Sequence, residues 1–312
     1  MRTIRVFAPA TIANVGPGFD VFGLALHEPG DEVVASISEQ SDVQIRAITG
    51  DGGKLPLDPT KNTAAVAVAE FLKHIRAQGG VELTVHKHMP LGSGLGSSAA
   101  SSVAAVVAAN ELFGSPLRRQ DLLPFTMEGE RIACGAAHAD NVAPSLLGGF
   151  VLIRSYSPLD VIQIPVPEFL HCTVVHPHIE VRTEDARKIL RRELSLADGI
   201  TQWGNTAGLI AGLMQQDPRI ISRSLTDVII EPQRSLLIPG FNNVKEAALD
   251  AGALGSSISG SGPSIFALSD SLQTAKACGE AMRNSFSAVG LDSDVFVSKV
   301  NKFGPRILPI ED

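Results

Sequence analysis

A chain of 312 residues with 44% hydrophobic and only 19% charged side chains can bury a substantial core and is far from the composition of a disordered protein. A formal charge of −7 and an aromatic content of 5% argue against nucleic acid as a partner, because the net field repels a polyanion and few rings are available to stack bases. No apolar run is long enough to cross a bilayer, the first ten residues hold no secretory apolar core, and Cys134, Cys172 and Cys278 stand far apart without metal-ligand spacing. The expectation is a cytoplasmic protein whose three cysteines are reduced, buried hydrophobes.

Apolar and polar residues alternate over Arg2–Phe7 and again over Glu32–Ile48 (Val33, Ala35, Ile37, then Val43, Ile45, Ala47), which predicts half-buried strands. The proline-bearing stretch Lys54–Lys61 reads as a loop, Asn62–Gln78 as a helix and Val81–Lys87 as a strand. A Gly/Ser-rich stretch, Pro90–Ser98, precedes an Ala/Val-rich helix reaching about Phe113, and a second helical stretch runs from Arg119 to Cys134. Three β-type runs follow (Phe150–Ile153, Val161–Val166, Leu170–Val175), then helical patterns at Thr183–Leu194, Thr201–Met214 and Val244–Ala251. Short strands at Ser256–Ile258, Ser264–Leu268 and Asp294–Val297, with a helix at Ser271–Phe286, complete the chain. Strands and helices mix without a regular βαβ rhythm, so an α+β fold with mixed or antiparallel sheets and packed helices is expected. A border between two parts is expected near residues 155 to 170.

The strongest local signal is Pro90-Leu-Gly-Ser-Gly-Leu-Gly-Ser-Ser-Ala-Ala100. Glycines at 92, 94 and 96 free the backbone to turn its N–H groups toward one anion, and Ser97 and Ser98 open a helix whose positive dipole end faces the same point. Taken alone, the stretch is also compatible with a hinge before a serine-capped helix. It is neither a P-loop, since no Lys follows Gly96, nor a dinucleotide fingerprint, since only Leu95 separates Gly94 from Gly96.

This loop resembles the second motif of the GHMP kinases, the galactokinase, homoserine, mevalonate and phosphomevalonate kinase superfamily. Ser257-Ile-Ser-Gly-Ser-Gly-Pro-Ser264 is similar to the family's third motif, a glycine turn that braces the phosphate loop. The stretch from Ala8 to Leu26, with its Ala-Asn-Val-Gly-Pro-Gly-Phe-Asp core, resembles the first motif in its homoserine kinase form. So do Gly129-Glu130, His138-Ala-Asp-Asn141, Thr183-Glu-Asp-Ala-Arg187 and Glu231-Pro-Gln-Arg234. Without the family, Asn14 reads as a turn cap, Asp20 as a solvated carboxylate, Arg187 as part of a charged helix face, Arg234 as a surface ion pair and His138 as a structural histidine.

The resemblance implies an ATP-binding part over residues 1–160 and a second part over 161–312 that completes the substrate site. It implies ATP and Mg²⁺ as cofactors and L-homoserine as substrate, with other GHMP acceptors (mevalonate, a diphosphocytidyl erythritol, a sugar) or a non-catalytic ligand-binding protein as the alternatives, and it leaves a homodimer open. Nucleotide contacts fall on Asn62, Lys87, Pro90, Leu91, Gly92, Ser93, Gly94, Leu95, Gly96, Ser97, Ser98, Ala99 and Ala100, and on Gly260, Ser261 and Gly262. The resemblance also implies that Ser97 or Ser98, with Glu130, holds the metal, an oxygen set that suits Mg²⁺. Glu128 is a rival, but its i, i+2 offset from Glu130 turns the two to different helix faces.

Homoserine is a zwitterion, so its site needs a carboxylate for the ammonium and guanidinium for the carboxylate. The substrate set implied is Asn14, Asp20, His138, Asn141, Thr183, Arg187 and Arg234. Catalysis is implied at Asn141, Glu130 and Lys87, with Asn141 where some relatives carry a catalytic Asp. Asp140 is the neighbouring carboxylate that could accept a proton or instead support the loop. A loose phosphoryl transition state needs positioning and charge neutralisation more than a strong base.

Overall fold

The alternating stretches at the start of the chain become the long strands of one sheet. The structure is a computed structural model that describes residues 2–134 and 137–310, with residues 133 and 134 by backbone alone. Strands β1 (Thr3–Ala13) and β2 (Phe22–Ser38) form an antiparallel pair around a break in register at Pro9/Thr11. β3 (Val43–Thr49) runs parallel to β4 (Gly80–His86), which lies antiparallel to β2. The alternation over Glu32–Ile48 is therefore two strands, interrupted by a turn at residues 39–42 where Glu39, Gln40, Ser41 and Asp42 supply no apolar face. Helix α1 (Thr63–Ile75) links β3 to β4.

Helix α2 (Ser97–Leu112) is buried along nearly its whole length, from Ala99 and Ala100 through Val103 to Ala109. Its alanines and serines let the backbone approach the sheet and α1 closely, while each fully buried valine adds about 1.5–3 kcal/mol. Helix α3 (Leu123–Cys134) and the short α4 (Val142–Leu147) pack beside it and lead into the hairpin β5 (Phe150–Tyr156) and β6 (Leu159–Ile164).

β7 (His171–Pro177) opens the second sheet. Helices α5 (Thr183–Lys188), α6 (Leu196–Gln215), α7 (Pro218–Ser224), α8 (Glu231–Arg234) and α9 (Phe241–Asp250) follow before β8 (Gly255–Ile258) and β9 (Ile265–Ser269). Helix α10 (Leu272–Ala288) and β10 (Ser293–Lys299) complete that layer, and β11 (Arg306–Leu308) returns to pair with β1. The strand orders are β11-β1-β2-β4-β3, with β5 and β6 branching from β2, and β10-β7-β9-β8. This is the mixed-sheet α+β arrangement expected.

The predicted helix over Thr183–Leu194 ends at Lys188, because the chain turns out and the Arg191 amide donates to Gln233 Oε1 on α8, 2.7 Å away. Cys172 and Cys278 are buried as expected, and burial pushes both thiols up. The Cys134 side chain lies outside the described residues.

Candidate active site

The glycine loop is a nest held open by two neighbours. Gly94 has φ +78°, and a Cβ there would lie 2.4 Å from the Ser259 carbonyl oxygen. Gly96 has φ +69°, and its Cβ would lie 2.2 Å from Thr11 Oγ1 and 2.8 Å from Asn141 Oδ1. Only glycine allows these turns and approaches. Gly96 caps α2 and its carbonyl accepts from Ala100, so the N–H groups of Ser97, Ser98 and Ala99 are the ones without intrahelical acceptors. The turn between β8 and β9 clasps the loop: Ser259 Oγ donates to the Gly94 carbonyl at 2.7 Å and the Ser264 amide to the Ser93 carbonyl at 3.3 Å.

Below the loop lies a buried cluster that the sequence did not announce. Asp31 on β2 is wholly buried and accepts from the His88 amide (2.8 Å), the Met89 amide (3.1 Å), Ser97 Oγ (2.7 Å) and Lys87 Nζ. Lys87 Nζ also donates to the Ser97 carbonyl at 2.8 Å and Ser101 Oγ at 2.7 Å, so its three N–H bonds are all engaged inside the protein. Burial pushes the ammonium down, and Asp31 opposes that. Lys87 borders the cavity with its three N–H bonds engaged by Asp31, Ser97 and Ser101, and so supplies charge and holds the start of α2.

Glu130 on α3 is buried, and Ser98 Oγ donates to its Oε1 at 2.7 Å. Glu128 is only half-buried and is paired with Arg131 in a two-point ion pair at 2.9 and 3.1 Å. The helix-face argument thus separates the two carboxylates as expected. The Glu130–Ser98 pair, next to free helix-end amides, is an oxygen donor set that fits a magnesium ion shared with phosphate oxygens. Asn62 borders the same space, but its amide is spent capping α1, accepting from Ala64 at 3.1 Å and donating to the Pro56 carbonyl at 3.1 Å.

At the other end of the cavity the first motif folds into a tight loop between β1 and β2. Asn14 Nδ2 donates to the Gly260 carbonyl at 2.9 Å, and Asn14 Oδ1 accepts from the Asp20 amide at 3.0 Å. Asp20, in the left-handed region at φ +59°, takes two hydrogen bonds from Arg187, Nη1 to Oδ2 at 3.1 Å and Nη2 to Oδ1 at 2.8 Å. Arg234 is buried rather than a surface residue, and donates to the Ala186 carbonyl (3.2 Å) and the Gly260 carbonyl (2.8 Å). Burial and the nearby Arg187 push Arg234 down to about 10, still charged at neutral pH. Both guanidinium groups lie over the Phe19 ring, at 5.6 Å and 4.9 Å from its centroid.

His138 Nδ1 lies 4.0 Å from Asp20 Oδ2, and burial lowers its affinity for a proton. Thr183 Oγ1 is 3.3 Å from Ser261 Oγ. Thr11 Oγ1 donates to Asn141 Oδ1 at 2.8 Å, which orients that amide and turns its Nδ2 to the other side. Burial and the neighbouring Asp20 and Glu130 carboxylates push Asp140 up to about 7.

One cavity of about 390 Å³ joins the two ends. Its wall brings together Leu91, Gly92, Ser93, Gly94, Gly96, Ser97 and Ser98 with Glu130, and the substrate residues Asn14, Asp20, His138, Asn141, Thr183, Arg187 and Arg234. Gly260 and Ser261 close it. Pro90, Leu95, Ala99, Ala100 and Gly262 are not on the wall. The Leu95, Ala99 and Ala100 side chains are buried in the core, and the Ala100 amide is used within α2. Lys61, Leu55, Pro56 and Ile132 contribute lining that sequence reasoning missed, together with Asp31, Phe19 and Thr11, which act from behind the wall.

Comparison with known proteins decides the family. Residues 62–149 match the model of the GHMP kinases N terminal domain and residues 209–288 that of the GHMP kinases C terminal. The chain is 56% identical to a homoserine kinase of Chlorobium phaeovibrioides over 99% of its own length and 100% of that protein's. The crystal structure of homoserine kinase from Cytophaga hutchinsonii superposes with a TM-score of 0.97 at 56% identity, covering 99% of this chain and 98% of that one. The chain belongs to the homoserine kinases of the GHMP kinase family. A crystal structure of mevalonate kinase, 12% identical over 96% of this chain and 99% of that one, shares the fold with a TM-score of 0.69. Membership in this kinase family implies the use of ATP, and among the described residues no helix is long and apolar enough to cross a membrane.

Proposed function

We propose that the kinase transfers the γ-phosphoryl group of Mg²⁺-ATP to the side-chain hydroxyl of L-homoserine, giving O-phospho-L-homoserine and ADP, in the cytoplasm. The observation that carries the reading is the sharing of one cavity by an anion-binding glycine nest and a facing set of one carboxylate and two guanidinium groups. Mevalonate and neutral sugars carry no ammonium to pair with Asp20.

The triphosphate lies along the Gly92–Ser98 backbone with the dipole end of α2 beneath it, while the buried Lys87 adds positive charge from behind. The adenine end falls between Asn62, Lys61 and the apolar lining of Leu55 and Pro56. Ser98 and Glu130 would hold a Mg²⁺ ion, which would supply charge neutralisation on the phosphates. Asp20 takes the substrate ammonium; Arg187 and Arg234 take its carboxylate. Asn141, with Oδ1 committed to Thr11, presents Nδ2–H to the acceptor oxygen and orients it in line. The hydroxyl oxygen bonds to the γ-phosphorus as the bond to the β,γ-bridging oxygen breaks, and the proton departs to water. Positioning and charge neutralisation supply the rate, without a strong base.

Coupled ADP release with a panel of hydroxy acids, amino acids and sugars tests the assignment. Homoserine should give the highest kcat/KM; turnover confined to mevalonate or a sugar would overturn it.

A further inference from the structure

The two side chains assigned to opposite ends of the substrate are bonded to each other. Arg187 grips both Asp20 carboxylate oxygens, and the pair is only partly exposed, with 32% and 25% of the respective side chains accessible. Neither backbone can move far to accommodate a ligand. The Asp20 amide is tied to Asn14 Oδ1 at 3.0 Å, its carbonyl accepts from the Tyr156 hydroxyl at 3.0 Å, and the Ala139 amide donates to that same hydroxyl at 3.3 Å. Arg187 is confined by the Phe19 ring and by Arg234, which is itself fixed to the Ala186 and Gly260 carbonyls.

The side chains must therefore change partners while the loops stay in place. A zwitterion can exchange with this pair at no loss of charge pairing, since its ammonium replaces Arg187 at Asp20 and its carboxylate replaces Asp20 at Arg187. A carboxylate alone reaches Arg187 only by leaving Asp20 with His138, 4.0 Å away and reluctant to take a proton, and facing a second negative charge. An ammonium alone reaches Asp20 only by taking from Arg187 the carboxylate that accepts two hydrogen bonds from it, while the Arg234 charge stays beside it. In a half-buried, low-dielectric setting each of these half-exchanges is costly.

We infer that the Asp20–Arg187 ion pair is an exchange gate that selects zwitterionic alcohols and rejects their singly charged analogues. This rests on the substrate reading above and adds to it a source of discrimination by competition inside the site, in addition to attraction by it. The gate has a signature that a preformed site lacks: removing one partner should improve the enzyme on the analogue that does not need it.

The experiment uses the full chain as wild type, Asp20→Asn, Arg187→Met and the double variant. Acceptors are L-homoserine, 4-hydroxybutyrate (carboxylate only) and 3-aminopropan-1-ol (ammonium only). Asp20→Asn should lower kcat/KM for homoserine about ten- to a hundredfold, the scale of one charge-assisted contact, and raise it several-fold for 4-hydroxybutyrate. Arg187→Met should do the mirror image with 3-aminopropan-1-ol. Thermal melting of the four proteins without ligand should be non-additive, with the double variant losing less than the two single losses together, and saturating homoserine should abolish that coupling in the proteins that bind it.

If Asp20→Asn brings no gain on 4-hydroxybutyrate, or if the ligand-free melts are additive, the gate is refuted while homoserine turnover by the wild type leaves the substrate reading intact. If the wild type instead turns over a non-zwitterionic alcohol and ignores homoserine, both fall. Should Arg187→Met fail to fold, Arg187→Lys, which keeps the charge but not the two-point grip, replaces it and should give a weaker version of the same crossed preference.

Discussion

Replacing Lys87 with Met isolates the buried cluster beneath the phosphate loop. The substitution keeps side-chain volume but removes the cation that satisfies Asp31, the Ser97 carbonyl and Ser101 at once. Asp31 would remain fully buried as a carboxylate with three neutral donors, His88 N–H, Met89 N–H and Ser97 O–H. Orphaning one member of a buried ion pair costs about 3–5 kcal/mol, and the three surviving bonds put the expected loss near the lower end, about 3 kcal/mol. At about 2.1 cal/mol/K per residue, the unfolding entropy of 312 residues is roughly 0.65 kcal/mol/K, so the loss should lower Tm by about 5 °C.

Asp31→Asn combined with Lys87→Met should restore part of the loss, because no charge is then left unpaired. Calorimetry on the four proteins measures this, and ATP saturation curves measure the functional side. Both single variants should raise the ATP KM by similar factors, since both release the start of α2. A Lys87→Met loss under about 1 kcal/mol, or an ATP KM that responds to Lys87→Met but not to Asp31→Asn, would refute the view that Lys87 acts through the loop.

Other expectations follow from single contacts. Glu130→Gln should cut kcat severely and shift the Mg²⁺ requirement upward in a metal titration, whereas Glu128→Gln, which breaks only an exposed pair with Arg131, should leave both unchanged. Asp140 is held up to about 7 in the folded protein by burial and nearby carboxylates, from an ordinary value near 3.8. Its contribution to stability is thus complete below about pH 4, is lost as pH rises to about 7 and is constant beyond. Asp140→Asn should accordingly gain Tm over wild type at pH 8 and show no gain at pH 4 in melts across that range. Arg234→Ala should raise the homoserine KM about ten- to a hundredfold with the ATP KM unchanged, and should also lower Tm, because the Ala186 and Gly260 carbonyls lose a buried donor.

The fold class and most elements were legible because periodicity is a local property: β4, α1 and α10 begin and end within a few residues of where alternation and helical spacing place them. The glycine loop was legible for the same reason, since its chemistry lies in one unbroken string. Asp31 was not, for nothing in an alternating strand marks one carboxylate as the base of a site fifty residues away. Lys87 was legible as a candidate, whereas its contacts to Asp31, Ser97 and Ser101 are ones that only the tertiary structure supplies. Arg234 reads on local grounds as an exposed residue, and its burial follows from α8 packing against the β8–β9 turn. Helix α5 stops short of its predicted end because Gln233, distant in sequence, competes for the Arg191 amide.

The pairing of β11 with β1, Arg5 opposite Leu308 and Phe7 opposite Arg306, joins two segments far apart in sequence in one ladder. During synthesis the outer edge of β1 must wait for residues 306–308 to leave the ribosome before its hydrogen bonds are met, while β2 can zip onto its other edge early. The loop closed by this contact is about 300 residues long, so its formation is entropically late and adds little to early folding. A nascent or truncated chain lacking residues 306–308 would present β1 as an open strand edge, a template for another copy. The strand that starts the active-site loop would thus also be the point where incomplete molecules are most prone to associate.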